Sequence, residues 1–151
     1  MDDKTRFTYF TFFNEIGIIS QLSRTILESR LPDGMLVSHF SVLNHLIRVE
    51  DGRTPQDISR AFQVPKTSMT HTLSVLEKHK LVDMKPNPND GRSKTVWITT
   101  RGREFRDRAI SAMDRDVAHL SSLLGDIDIA ALTEQLASVR KIMDMSRSDI
   151  Q

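Results

Sequence analysis

Apolar residues recur at spacings of three and four over most of the chain, which makes helices the main expectation. In "FTYFTFFNEIGIISQLSRTILESRL", Phe12, Ile16, Ile19, Leu22 and Ile26 form one stripe, and Phe7, Tyr9, Phe10 and Phe13 crowd its start. A helix that is apolar on more than one face packs on two partners. "LPDG" at 31–34 predicts a turn, and "VSHFSVLNHLIRVE" a second helix with Ser38 as N-cap and Phe40, Leu43, Leu46 and Ile47 inward. Gly52 sits where that helix must stop and suits a left-handed residue. Thr54, Pro55 and Asp57 then form a helix start: a cap, a proline at the first position and an acid three residues after the cap. The third helix is short, with Ile58, Ala61 and Phe62 inward. The first "DGR", at 51–53, therefore reads as punctuation between helices.

"QVPK" leads into a fourth helix, "KTSMTHTLSVLEKHK", which buries Met69, Leu73 and Leu76 and turns Lys66, Thr67, Thr70, His71, Ser74 and Lys78 outward. Two short helices joined in this way are a helix-turn-helix, whose second helix enters a DNA major groove. "LVDMKP" and "KTVWIT" are β-prone runs around "NPNDGRS", whose Asn, Pro, Asp and Gly predict a hairpin tip carrying the second "DGR". A hairpin after a helix-turn-helix is a wing. Thr99 or Thr100 caps a fifth helix that runs to Leu124, with Ala109, Ala112, Met113, Val117, Leu120 and Leu124 as its stripe. "GDID" breaks it. The last helix, "IAALTEQLASVRKIM", aligns Ile129, Leu132, Leu136, Val139 and Met143 near a 3.5 spacing, which suits packing along another long helix. The fold class expected is mainly α with a small β-hairpin wing (α+β): a winged helix-turn-helix between N- and C-terminal dimerisation helices. Residues 1–35 and 101–151 form the expected dimerisation region, and 36–100 the DNA-binding domain.

Charge sharpens this picture. The chain has 151 residues and net charge +1, yet residues 1–52 carry −2, residues 53–108 carry +6 and residues 109–151 carry −3. A basic centre between acidic ends suggests a polyanion partner for the centre and another task for the ends. There are no cysteines, which excludes disulfides and thiol redox sensing. No apolar run approaches the roughly 20 residues of a membrane span. "MDDKTRF" lacks the basic start of a secretory signal, so a cytoplasmic location is expected. His39 with His45, and His71 with His79, miss the spacing of a helical zinc pair, and no Gly-x-Ser-x-Gly elbow or phosphate-binding glycine loop is present. No catalytic set, metal or cofactor is expected, and the chain is not expected to be an enzyme.

The order of these elements, and above all "NDGRSKTVWITTRG", resembles the MarR family of bacterial transcriptional regulators. The family wing pattern is Asp, any residue, Arg, a strand ending in Leu-Thr, and a Gly two residues on. Asp90, Arg92, Ile98, Thr99 and Gly102 occupy those positions. "SMTHTLSVLEKHKLV" resembles the recognition helix and its exit into the wing. Ile98 replaces the usual Leu, Lys80 a common Gly, His71 a frequent Arg and Pro65 a frequent capping Ser. A non-Gly residue at the Lys80 position predicts a changed local turn.

The resemblance implies a homodimer that binds operator DNA, a role as repressor, and release by a small aromatic or anionic effector. Arg92 would reach a minor groove, with Asp90 orienting its guanidinium by a two-point contact and Gly91 permitting the turn. Lys94 would touch phosphate. Lys66 and Thr67 suit phosphate at a helix start, and Ser68, Thr70 and His71 suit base or phosphate contacts. Phe13, Gly17 and His39 lie on segments that could line an effector pocket, but no effector residues are assigned. A winged-helix protein-interaction module that does not read DNA is the alternative.

Overall fold

The computed structural model describes residues 1–146. It contains helices α1 (Asp3–Arg30), α2 (Val37–Arg48), α3 (Pro55–Phe62) and α4 (Lys66–Lys78), then strands β1 (Val82–Asn87) and β2 (Asp90–Ile98), then α5 (Thr100–Ser111), α6 (Asp114–Leu124) and α7 (Ile129–Met145). The strands pair antiparallel, from Val82 opposite Ile98 to Pro86 opposite Lys94. The chain forms two compact units, Met1–Asp116 and the residues from Val117 on.

One core organises the first unit. Val42, Leu43 and Leu46 of α2, Ile58 of α3 and Met69, Leu73 and Leu76 of α4 meet Val82, Val96 and Ile98 of the hairpin and Phe105 of α5. The spacing of four and three in α4 thus sets which face is buried. Phe40, Ile47 and Phe62 are only half-buried, Ile47 and Phe62 packing against the edge of the core, while α2 turns Val42 and His39 fully inward. Ala61 is exposed and Ser59 takes the buried place beside Ile58, with its hydroxyl donating to the Gln56 carbonyl at 2.8 Å.

The caps explain where the helices begin and end. Thr54 accepts the Asp57 N–H at 3.1 Å while its hydroxyl donates to the Asp57 carboxylate at 2.7 Å. That contact holds the Asp57 carboxyl below the usual carboxylate range. Thr99 starts α5 by accepting the Gly102 N–H at 3.0 Å. Ser38 does not cap α2; Leu36 stands at that position, and its N–H donates to Nδ1 of His39 at 2.9 Å. A buried imidazole thus takes the part that a glutamate three residues after the cap plays in a capping box, while the N-cap residue itself offers no side-chain acceptor.

Both helices of the helix-turn-helix end on a left-handed residue that is not glycine: Gln63 at φ 52° and Lys80 at φ 57°. After α4, the Leu81 N–H reaches the Leu76 carbonyl (2.9 Å) and the Lys80 N–H reaches Glu77 (2.8 Å). This is a Schellman ending, and Leu76 and Leu81 supply its apolar contact in the core. Lys80 therefore keeps the turn that a glycine would make, contrary to expectation; two hydrogen bonds and a buried leucine outweigh the strain of about 1 kcal/mol.

The helix expected from residue 100 to Leu124 is interrupted at Ala112–Met113, where the Met113 N–H binds the Ile110 carbonyl in a tighter three-residue turn. At the end of α1, Arg30 grips Asp116 with two contacts of 2.7 Å. The α1 stripe is largely uncovered: Ile19 and Leu22 are each more than 60% exposed, as is Phe10 near its start, and the buried residue of α1 is Leu27, outside the stripe. Ile129, Leu132, Leu136 and Met143 of α7 are likewise exposed.

Candidate nucleic-acid interface

Because α4 buries Met69, Leu73 and Leu76, its other face presents Lys66, Thr67, Ser68, Thr70 and His71 to solvent. Thr70 and Thr72 donate their hydroxyl protons to the Lys66 and Ser68 carbonyls one turn back (2.8 and 3.1 Å). Pro65 stands at the N-cap and has no side-chain acceptor. The first-turn amides of α4 therefore lack a side-chain cap, and the positive end of the helix is open to an anion.

The wing differs in detail from its sequence reading. The turn is Pro88–Asn89, and Asp90 already pairs with Asn87. The next pair is Pro86 with Lys94, so Gly91, Arg92 and Ser93 stand out as a bulge on β2 rather than at the tip. Side chains fix this bulge. Asp90 Oδ1 accepts the Arg92 backbone N–H at 3.0 Å, Asn87 donates to Ser93 Oγ at 2.8 Å, and Asn87 Oδ1 accepts the Asn89 N–H at 3.0 Å. The Asp90 contact is thus to the main chain of Arg92, not to its guanidinium, and it shapes the loop from which Arg92 projects. Gly91 is not in a left-handed conformation and a Cβ there would meet open space, so the bulge does not require a glycine. Arg92 and Lys94 are exposed.

The wing base is held from an unexpected side. Gly52 and Arg53 exchange backbone hydrogen bonds with Val96 at 2.9 and 2.8 Å, which adds a short third rung to the hairpin. Gly52 has φ 75°, and a Cβ there would meet Cζ2 of Trp97 at 2.5 Å. Backbone sign and indole packing both call for glycine. Asp51 accepts the Ile98 N–H at 2.9 Å and pairs with Arg103 at 3.2 Å. The first "DGR" is therefore part of the wing's foundation as well as a helix stop. Sequence reasoning missed this because the partners lie 47 and 52 residues away.

A cleft of about 550 Å³ opens beside the start of α4, with Val42, Phe62 and Met69 among its walls and Ser38, Thr67 and His71 at its polar edge. It brings Ser38 next to the exposed face of α4, which no local signal in the sequence indicated. Phe13, Gly17 and His39 do not line it. Phe13 and Gly17 are exposed on α1. His39 is buried, and burial, followed by the nearby His71 and His79, pushes its pKa below the usual imidazole value. Among the described residues, no group of three His, Cys, Asp or Glu side chains is arranged to hold a metal, and no helix is long and apolar enough to cross a membrane.

An exposed helix with an open positive end, beside a bulged hairpin carrying Arg92 and Lys94, suits a polyanion with grooves. Comparison with known proteins agrees. Residues 33–93 match the model of the MarR family. The "Transcriptional activatory protein BadR" of Rhodopseudomonas palustris is 27% identical over 151 residues, covering 98% of this chain and 85% of that one. The reduced form of MarR from E. coli superposes with a TM-score of 0.71 at 25% identity, over 83% of this chain and 93% of that chain. A mutant MarR from E. coli solved with operator DNA gives a TM-score of 0.68 at 24% identity, over 85% and 93%.

Proposed function

We propose that this chain, which belongs to the MarR family of transcriptional regulators, binds a specific double-stranded operator as a homodimer. The observation that carries this reading is the pairing of an outward α4 face with a side-chain-braced wing bulge on one core. Lys66 and Thr67 contact phosphate at the open end of α4, and Ser68, Thr70 and His71 contact bases or phosphate in the major groove. Arg92 enters the adjacent minor groove, Asp90 shapes its loop and Lys94 binds phosphate.

The dimer reading is supported by the uncovered apolar stripes of α1 and α7, since contiguous exposed apolar surface marks an association site. Two copies engage two half-sites about one DNA turn apart. We read the regulator as a cytoplasmic repressor that blocks a promoter, relieved by a small aromatic or anionic molecule. The relative named as an activatory protein favours activation as a second outcome. A reporter driven from the bound promoter, with and without the protein, separates the two.

Selection of duplexes from a randomised pool tests the reading. One sequence is expected to be enriched, with affinity that falls steeply with salt. Arg92→Ala is expected to weaken that affinity by about tenfold without unfolding the chain. Equal affinity for selected and scrambled duplexes would sink the proposal.

A further inference from the structure

We infer that Asp51 is a positioning residue that fixes the wing in its DNA-reading orientation, an inference that rests on the DNA-binding reading above. Its carboxylate joins three segments. Oδ1 accepts the N–H of Ile98, at the foot of β2, at 2.9 Å, and the N–H of Gly52 in the α2–α3 connection at 3.1 Å. Oδ2 pairs with Arg103 in the first turn of α5 at 3.2 Å. The Asp51 side chain is 24% exposed, against 49% for Arg103, so the contact lies partly out of water, where charge-assisted hydrogen bonds hold better.

The charges explain why an acid belongs here. The first turn of α5 contains no acidic residue of its own. Arg103, near the positive end of that helix, is poorly placed against the helix dipole. Asp51 supplies the missing negative charge and relieves Arg103 together with the dipole.

The lever is mechanical. Arg92 lies six positions before Ile98, which at the rise of a strand is up to roughly 20 Å. A tilt of about 10° at the foot would carry Arg92 about 3 Å sideways, beyond the tolerance of a hydrogen bond. A two-stranded hairpin is only marginally stable by itself, so its direction depends on what grips its base.

Asp51→Ala, Asp51→Asn and Arg103→Gln are compared with the wild type in the full chain. In hydrogen–deuterium exchange, Asp51→Ala is expected to speed exchange of amides in 82–98 by about tenfold or more, with α2 and α4 unchanged. Asp51→Asn keeps an acceptor for Ile98 but loses the ion pair, and is expected to fall between. On a duplex selected from a randomised pool, Arg92→Ala is expected to cost about tenfold in the wild type and less than about threefold on Asp51→Ala, because a misdirected wing has little left to lose.

Unchanged wing exchange in Asp51→Ala, or additive losses in the double variant, overturns the inference. If Asp51→Ala does not fold, the same cycle is run with Arg103→Gln, where coupling to Arg92 supports the inference and its absence overturns it. A wild type that does not prefer the selected duplex refutes the regulator reading instead, while exchange still decides whether Asp51 holds the wing.

Discussion

Gly102→Ala is expected to destabilise the protein although it puts a better helix former into a helix. Gly102 is buried in the first turn of α5. A Cβ there would collide with the carbonyl oxygen of Leu81 and meet Cγ1 of Ile98 at 2.8 Å. The carbonyl cannot withdraw freely, since it accepts the N–H of Thr99 at 3.1 Å and shares the Thr99 hydroxyl proton, at 3.1 Å, with the Lys80 carbonyl at 2.8 Å. Ala gains about 1 kcal/mol at most from helix propensity. Forcing a methyl into a packed site costs about 1–3 kcal/mol, and loosening two hydrogen bonds adds about 1–2 kcal/mol. The net expectation is a loss of about 1–4 kcal/mol. Urea unfolding followed by circular dichroism, at one fixed protein concentration, reads this as a lower midpoint with an unchanged slope. Gly17→Ala is the control: Gly17 lies inside α1 with nothing within 4 Å of its added Cβ, so that variant should gain up to about 1 kcal/mol. If Gly102→Ala matched or exceeded the wild-type midpoint, the steric reasoning would be wrong.

Lys80→Gly should raise the same midpoint by a few tenths to about 1 kcal/mol, because glycine relieves the left-handed strain and gives back part of that gain as unfolded-chain entropy; a lower midpoint contradicts this. His39 is neutral in the fold, with a pKa below that of the unfolded chain. Its contribution is fully present above about pH 6.5 and declines as pH falls from there towards the folded pKa. The unfolding midpoint should therefore drop between pH 7.5 and 5.5, and His39→Asn should flatten part of that slope, leaving the part due to His45, whose pKa is also lowered; an unchanged slope removes His39 from the account. Leu22→Glu, on the exposed stripe of α1, should halve the mass seen by sedimentation; a retained dimer would exclude that stripe as its interface.

The sequence showed clearly what local physics controls. The buried face of α4 followed from spacing, and the cap Thr54 from its side chain, while the start of α5 was narrowed to Thr99 or Thr100. The strands of the wing followed from β-prone runs around Asn and Pro. Less legible was whatever depends on a distant partner. Gln63 and Lys80 adopt left-handed backbone because of helix-end hydrogen bonds, joined at Lys80 by a packed leucine, not because of their own preference. His39 caps α2 because burial leaves its imidazole facing the Leu36 N–H. The bulge that carries Arg92 comes from a register shift, which no composition rule marks. Asp51 and Asp90 both precede Gly-Arg, and their flanks told a helix stop from a hairpin, but the reach of Asp51 to Ile98 and Arg103 was not written in those flanks.

The grip of Asp51 on Arg103 also bears on how the chain can be cut and how it forms during synthesis. The family match ends at residue 93 and the hairpin at Ile98, but the core still needs Phe105. A fragment stopped at residue 100 would carry every side chain proposed to face DNA and lack the groups that lock their support. The hairpin emerging from a ribosome would likewise stay unfastened until the first two turns of α5 had followed it. The smallest piece able to stand as a reader of DNA therefore extends past the wing into the helix behind it.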